Sequence, residues 1–187
     1  MFSPWTAPDI AYYWYGMAAS AAVLLLYASV VGHWWRGVQF HASDILYGIF
    51  LAAALWGIFW VGDKVSQWMF PSFARAQVDN VYALREGGSP VLISLLLMLL
   101  IGPTEEIFWR GFVQRNISDN RWLAFALTTA AYTLIHVGSL NFMLTMSALV
   151  CGIFWGGLYC LFPKRLPMII ISHCIWDAAV FVWFPIM

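Results

Sequence analysis

The chain has 187 residues, 63% of them hydrophobic and only 10% charged, with nine basic residues cancelling nine acidic ones. A mean hydropathy of +0.77 and long uncharged runs exclude a soluble globular domain and indicate a polytopic membrane protein. No basic patch reaches the size that phosphate neutralisation needs, which excludes nucleic-acid binding.

The length suits one membrane domain, residues 1–187, with several spans. Residues 1–9 form a short polar-aromatic lead with two prolines. No basic region precedes the first apolar run, so it is expected to be a retained helix rather than a cleaved signal. That run covers residues 10–31. Tyr12, Tyr13, Trp14 and Tyr15 mark one membrane interface, and His33, Trp34, Trp35 and Arg36 mark the other. A second span covers 44–62 and is closed by Asp63-Lys64. Residues 1–62 thus hold two accessory spans. Residues 63–89 are the one sizeable loop. Within it Ala74, Val78, Val81 and Tyr82 share a helical face, and Gly87-Gly88 would end such a helix. This predicts a helix lying on the membrane surface, a lid over a site, or a solvated connector.

The third span starts near Pro90 and stays uncharged to Thr104. Helix is expected to continue through Glu105 and Arg110 to about Asn116. Ser118-Asp119-Asn120 is a polar turn. From Trp122 to Pro163 there is no Asp, Glu, Lys or Arg, a run too long for one helix. Gly138-Ser139-Leu140-Asn141 divides it into spans at 122–137 and 141–162. Pro163-Lys164-Arg165 is a basic turn, and 166–184 is the last span. The expected fold is an all-α transmembrane helical bundle of about six spans. Arg36, Arg115, Arg121, Lys164 and Arg165 fall on one side of it, and Lys64, Arg75 and Arg85 on the other. The bias places both termini outside. Cys151, Cys160 and Cys174 lie in apolar runs without CxxC spacing and are expected to pack, not to pair or bind metal. His33 and His41, in a short loop, are expected to have no chemical role.

Charge inside a membrane is expensive and usually functional. Glu105, Glu106, Arg110, His136, His173 and Asp177 all fall within spans. Counted at about 1.5 Å of rise per residue from the basic side, they reach comparable middle depth, so a tilt or a bend at Pro103 brings them together. Glu106 and Arg110, four apart, share a face and can form a self-compensating pair. Glu105 lies about 100° around the helix and points elsewhere. His173 and Asp177 are also four apart. Two imidazoles and a carboxylate in a low-dielectric pocket can do general acid–base work. Glu105, His136 and His173 could equally hold zinc with an open position.

Three motifs in this region resemble the CPBP intramembrane proteases, a family that includes CAAX prenyl endopeptidases of the Rce type and bacteriocin-processing or immunity (Abi) proteins. They are Glu105-Glu106-Ile107-Phe108-Trp109-Arg110, then Tyr132-Thr133-Leu134-Ile135-His136, then His173-Cys174-Ile175-Trp176-Asp177. Order and spacing agree over residues 90–184, which makes 90–187 the CPBP-like core. The resemblance implies a glutamate-type protease with no required cofactor, zinc being the alternative. Glu105 would activate water with help from His136. His173 and Asp177 would hold the developing oxyanion, and Glu106, Arg110 and Tyr132 would shape the site. The prenyl endopeptidases typically have Asn where this chain has Asp177. An ionised Asp repels an oxyanion, so Asp177 is either protonated or orients His173, and orientation is favoured.

The leading expectation is an endopeptidase of a bacterial or archaeal plasma membrane, cutting a membrane-anchored peptide or protein near the cytoplasmic side. Its partners would be that substrate and the lipid bilayer. A scaffold or immunity protein of the same fold, and a proton-coupled carrier, are the competing classes. The carrier would need polar groups leading to both faces, and they occur at one depth.

Overall fold

Each uncharged run becomes a helix, because in hydrocarbon a backbone must satisfy its own hydrogen bonds. The computed structural model describes residues 10–86 and 88–186, with side chains from Tyr13 onward. The lead at residues 1–9, and Gly87 of the expected helix stop, lie outside the described residues. Seven helices follow in order: α1 (Ile10–Val30), α2 (Ser43–Met69), α3 (Pro71–Tyr82), α4 (Pro90–Gln114), α5 (Arg121–Val137), α6 (Phe142–Leu161) and α7 (Leu166–Trp183). No strand occurs among the described residues. Helices α1, α2, α4, α6 and α7 are long and apolar enough to cross a membrane. Helix α5, with 17 residues, rises about 26 Å, at the short end of the spanning range. It packs along α6 as α2 packs along α7, and it completes a six-helix bundle.

The helix starts follow local chemistry. Asn120 caps α5 by accepting from the Trp122 and Leu123 amides, and Asn141 caps α6 by accepting from Leu144. Pro71, Pro90 and Pro167 sit in first turns, where a missing N–H costs nothing. Large apolar side chains point outward, among them Leu46 (72% exposed) and Leu99 (72%). The interior holds Leu55, Trp155, Leu166 and Ile169 together with charged groups. This arrangement suits a lipid solvent.

One boundary differs from the expectation. Helix α2 does not close at Asp63-Lys64 but runs on to Met69. The Asp63 carboxylate accepts from Gln67 Nε2 at 2.6 Å and Lys64 Nζ at 3.3 Å, so it is tolerated within the helix. The stop comes from Pro71, which disfavours helical geometry at Phe70 (φ −141°, ψ 63°).

The basic loops gather at one end of the bundle. Gln39 N–H donates to Lys164 O at 2.9 Å, and Arg115 reaches Trp34 O at 3.4 Å. Arg165 pairs with the fully buried Asp44. Helix α3 closes the opposite end and is fastened on both sides. Gln77 takes Asn141 Nδ2 on its carbonyl at 2.7 Å and the Phe142 amide on Oε1 at 2.8 Å. Tyr82 Oη donates to Val180 O at 3.0 Å and Arg85 to Phe181 O at 2.9 Å, which satisfies carbonyls near the end of α7. Burial raises the Tyr82 phenol above its ordinary value, so it stays a donor.

Candidate active site

The site begins with an irregularity in α4. Two π-helical stretches, Leu97–Ile101 and Ile107–Gln114, flank a short α-helical segment, Gly102–Glu106. Such wide turns recur at functional sites because they re-aim side chains. Here they bracket the two carboxylates. Gly102 also lets α4 approach α7. A Cβ at this position would lie 3.2 Å from Cys174 Sγ and 3.3 Å from Cys174 Cα. That contact carries Glu106 up against His173.

Glu106 and Arg110 are sealed, at 0% and 1% exposure. Arg110 NH1 donates to Glu106 Oε1 at 2.9 Å, and His173 Nδ1 lies 2.7 Å from the same oxygen. A carboxylate accepts only, so Nδ1 carries a proton there. The Arg110 guanidinium lies over the Tyr132 ring at 5.0 Å and near Trp155 at 5.9 Å. The His173 ring stacks on Trp155, with centroids 3.8 Å apart and planes 16° off parallel. Trp155 Nε1 donates to Ser172 Oγ at 3.2 Å, one residue before His173. His173 is thereby fixed in position and in tilt. One turn on, Asp177 Oδ2 lies 3.4 Å from Nε2. His173 therefore has a carboxylate at each ring nitrogen, the nearer being Glu106 rather than Asp177.

Glu105 has different surroundings. It is half-buried, and its Oε2 accepts from Tyr132 Oη at 2.8 Å. Tyr132 is held by the edge of Trp109 at 5.4 Å. One turn along α5, His136 Nδ1 lies 2.7 Å from Tyr132 O. A carbonyl only accepts, so Nδ1 carries a proton there.

A cavity of about 620 Å³ joins these groups, a volume typical of ligand sites. Its wall includes Glu105, Tyr132, His136, His173 and Asp177, but neither Glu106 nor Arg110. Polar residues from three spans, α4, α5 and α7, thus share one chamber, and the buried pair stands behind it. The chamber extends to the end of the bundle under α3, whose Ala74, Val78, Val81 and Tyr82 line it. The helical face legible in the sequence is therefore a cavity wall.

Among the described residues no three His, Cys, Asp or Glu side chains gather so as to hold a metal ion. Tyr132 engages Glu105, and both nitrogens of His173 face carboxylates. The three cysteines are free and buried. Of the aromatic cluster expected at one interface, the Tyr12 side chain lies outside the described residues, and Tyr13 and Tyr15 differ. Tyr15 is 73% exposed, as an interface residue would be, but Tyr13 is 7% exposed and lines the cavity. Trp14 Nε1 donates to Leu84 O at 3.0 Å. Nothing in the local sequence separates these tyrosines, because burial is set by what α1 packs on. Trp155 was likewise hidden among the apolar residues of its span.

Residues 87–179 match the family described as Type II CAAX prenyl endopeptidase Rce1-like. No curated protein and no solved structure matches the chain.

Proposed function

We propose a function from the premise that this chain belongs to the Rce1-like family of CAAX proteases, within the CPBP group. In our reading it is an intramembrane endopeptidase of the glutamate type, acting on a membrane-associated or lipidated peptide. The observation that carries this is the division of labour between adjacent carboxylates. Glu105 faces the cavity and accepts from Tyr132 Oη, and Glu106 is sealed behind it on Arg110 and His173.

Glu105 accepts a proton from a water molecule, and the hydroxide attacks the scissile carbonyl carbon. His136, in the cavity wall, helps to orient that water. The carbonyl π electrons move to oxygen. When the tetrahedral species collapses, the C–N bond breaks and the amine leaves with the proton that Glu105 took. Glu106, Arg110 and Trp155 hold the His173 imidazole beside the reacting carbonyl, and Asp177 fixes its far nitrogen. The largely apolar cavity wall suits an apolar substrate segment.

The finer topology follows from charge. The basic loops belong inside, which leaves both termini and α3 outside. The cavity reaches the α3 end, so this orientation and cleavage near the cytoplasmic side exclude one another. The charge bias favours an outward-facing cavity. Labelling single added cysteines at Asp79 and Arg115 from outside intact cells tests this, with Asp79 expected to react and Arg115 to be protected.

The activity is tested by reconstituting purified protein in liposomes with a farnesylated CaaX peptide and, in parallel, membrane proteins extracted from the host. Glu105→Gln is expected to lower cleavage about 10²–10⁴-fold while the protein still inserts and melts as wild type. Wild-type cleavage by that variant would overturn the reading.

A further inference from the structure

The chamber has a mouth, and side-chain exposure locates it. Ile58, Val65 and Met69 of α2, Phe73 of α3, and Phe142 and Met146 of α6 line the cavity and are also exposed. The lining residues from α1, α4, α5 and α7 are all buried or half-buried. The opening therefore lies between α2 and α6, under α3. Helices α2 and α6 barely touch each other, and α3 packs on both. The six side chains at the opening are all apolar. In a bundle whose outer surface meets hydrocarbon, such an opening admits an apolar segment at less cost than a hydrated one.

Helix α3 is held unevenly across this opening. At its C-terminal end Tyr82 Oη donates to Val180 O at 3.0 Å and accepts from the Ile186 amide at 2.9 Å. Just beyond, Arg85 donates to Phe181 O at 2.9 Å and Leu84 O accepts from Trp14 Nε1 at 3.0 Å. At the N-terminal end one non-helical residue, Phe70, joins α3 to α2. Toward α6 the hydrogen bonds run through Gln77. Its carbonyl accepts from Asn141 Nδ2 at 2.7 Å, and its Oε1 accepts from the Phe142 amide at 2.8 Å. The Phe73 and Phe142 rings meet across the same seam at 6.1 Å. The Phe142 amide belongs to the first turn of α6, which cannot satisfy it within the helix. Phe142 is exposed, so water can take the place of Gln77 when the seam parts. Helices α2 and α3 lie outside the family match at 87–179.

We propose that α3 is the gate of a lipid-facing portal between α2 and α6, latched onto the first turn of α6 by Gln77. The helix turns about a line from Phe70 to Tyr82, which lifts Gln77 off Asn141 and Phe142 and separates the Phe73 and Phe142 rings. The mouth then widens toward the chamber that holds Glu105. What passes is an apolar, membrane-embedded segment of the substrate. Closure returns Val78 and Val81 to the cavity wall. The identity of the entrant rests on the hydrolytic reading above, whereas the gate stands on the contacts of α3.

The gate is tested without a substrate. Cys151 lines the cavity, whereas Cys160, also free and buried, does not. The purified full chain in liposomes is treated with N-pyrenylmaleimide, which dissolves in the bilayer, and mass spectrometry reads the labelling rate at each cysteine. Gln77→Ala removes the side-chain latch. It is expected to raise the Cys151 rate about 2–10-fold, the effect of one hydrogen bond on an opening equilibrium, with the Cys160 rate unchanged. Gln77→Glu keeps an acceptor oxygen beside the start of α6 and is expected to label no faster than wild type. A charged, water-soluble maleimide, corrected for its rate with a free thiol, is expected to label Cys151 more slowly than the pyrene reagent. An unchanged Cys151 rate in Gln77→Ala overturns the gate, as does a rise shared by Cys160 or by Gln77→Glu. Faster labelling of Cys151 by the charged reagent overturns the lipid-facing portal. Absence of any Glu105-dependent cleavage overturns the hydrolytic reading and the identity of the entrant, and the labelling decides the gate separately.

Discussion

Two carboxylates, Glu106 and Asp63, make an instructive pair. Each sits in a long apolar helix, and each finds a partner four residues on, Arg110 at 2.9 Å and Gln67 at 2.6 Å. Each is also reached from a second helix, by His173 of α7 at 2.7 Å and by Arg75 of α3 at 4.0 Å. They differ in access to solvent. Arg110 is 1% exposed, whereas Lys64 and Arg75 beside Asp63 are 49% and 31% exposed. A sealed cluster has no water to replace a lost partner, so its members stand or fall together. A cluster at the rim exchanges its partners for water at little cost. The sealed cluster backs the site and fixes an imidazole. The rim cluster lies where α2 meets α3, in contact with solvent.

The comparison can be broken most sharply at Arg110. Arg110→Ala leaves Glu106 buried with one partner, and about 3–5 kcal/mol of stability is expected to be lost, read from denaturant unfolding in detergent micelles. A loss under about 1 kcal/mol would mean that the cluster is not sealed. A smaller effect is expected where α4 meets α7. Gly102→Ala puts a methyl group 3.2 Å from Cys174 Sγ and 2.9 Å from Leu97 O, which should cost about 1–3 kcal/mol and lower cleavage by displacing Glu106 from His173. The matching change beside the rim cluster, Gly62→Ala, meets nothing within 4 Å and should not lower the melting temperature, because Ala favours a helix interior by about 1 kcal/mol over Gly. The smallest effect belongs to Lys64→Ala. Its pairing with Asp63 is half in solvent, so a change below about 1 kcal/mol is expected, shrinking further in high salt. Equal effects from Lys64→Ala and Arg110→Ala would erase the distinction.

How much of this was legible depends on whether the cause was local. The helices of the bundle were readable because lipid demands uncharged runs, and Asn120 and Asn141 mark starts by chemistry within three residues. The pairing of Glu106 with Arg110 was readable too, since four residues along a helix define a shared face. So was the apolar face of α3. The end of α2 was not, because Asp63-Lys64 looks like a membrane boundary until Gln67 and Arg75 are seen to partner the carboxylate.

What the sequence determined by itself was the inventory: a helical membrane bundle, with carboxylates and imidazoles at one depth. Only the tertiary structure decided which groups face the cavity and which stand behind it. Glu105 and Glu106 are chemically identical and adjacent. One is half-buried on Tyr132, and the other is sealed against His173, 67 residues away in the chain. Tyr13 and Tyr15 are likewise identical, one in the cavity wall and one at the surface. Local sequence cannot rank such pairs, because the difference lies in which neighbouring helix each side chain meets. That is settled by close approaches such as the one at Gly102, and by the burial that follows from them.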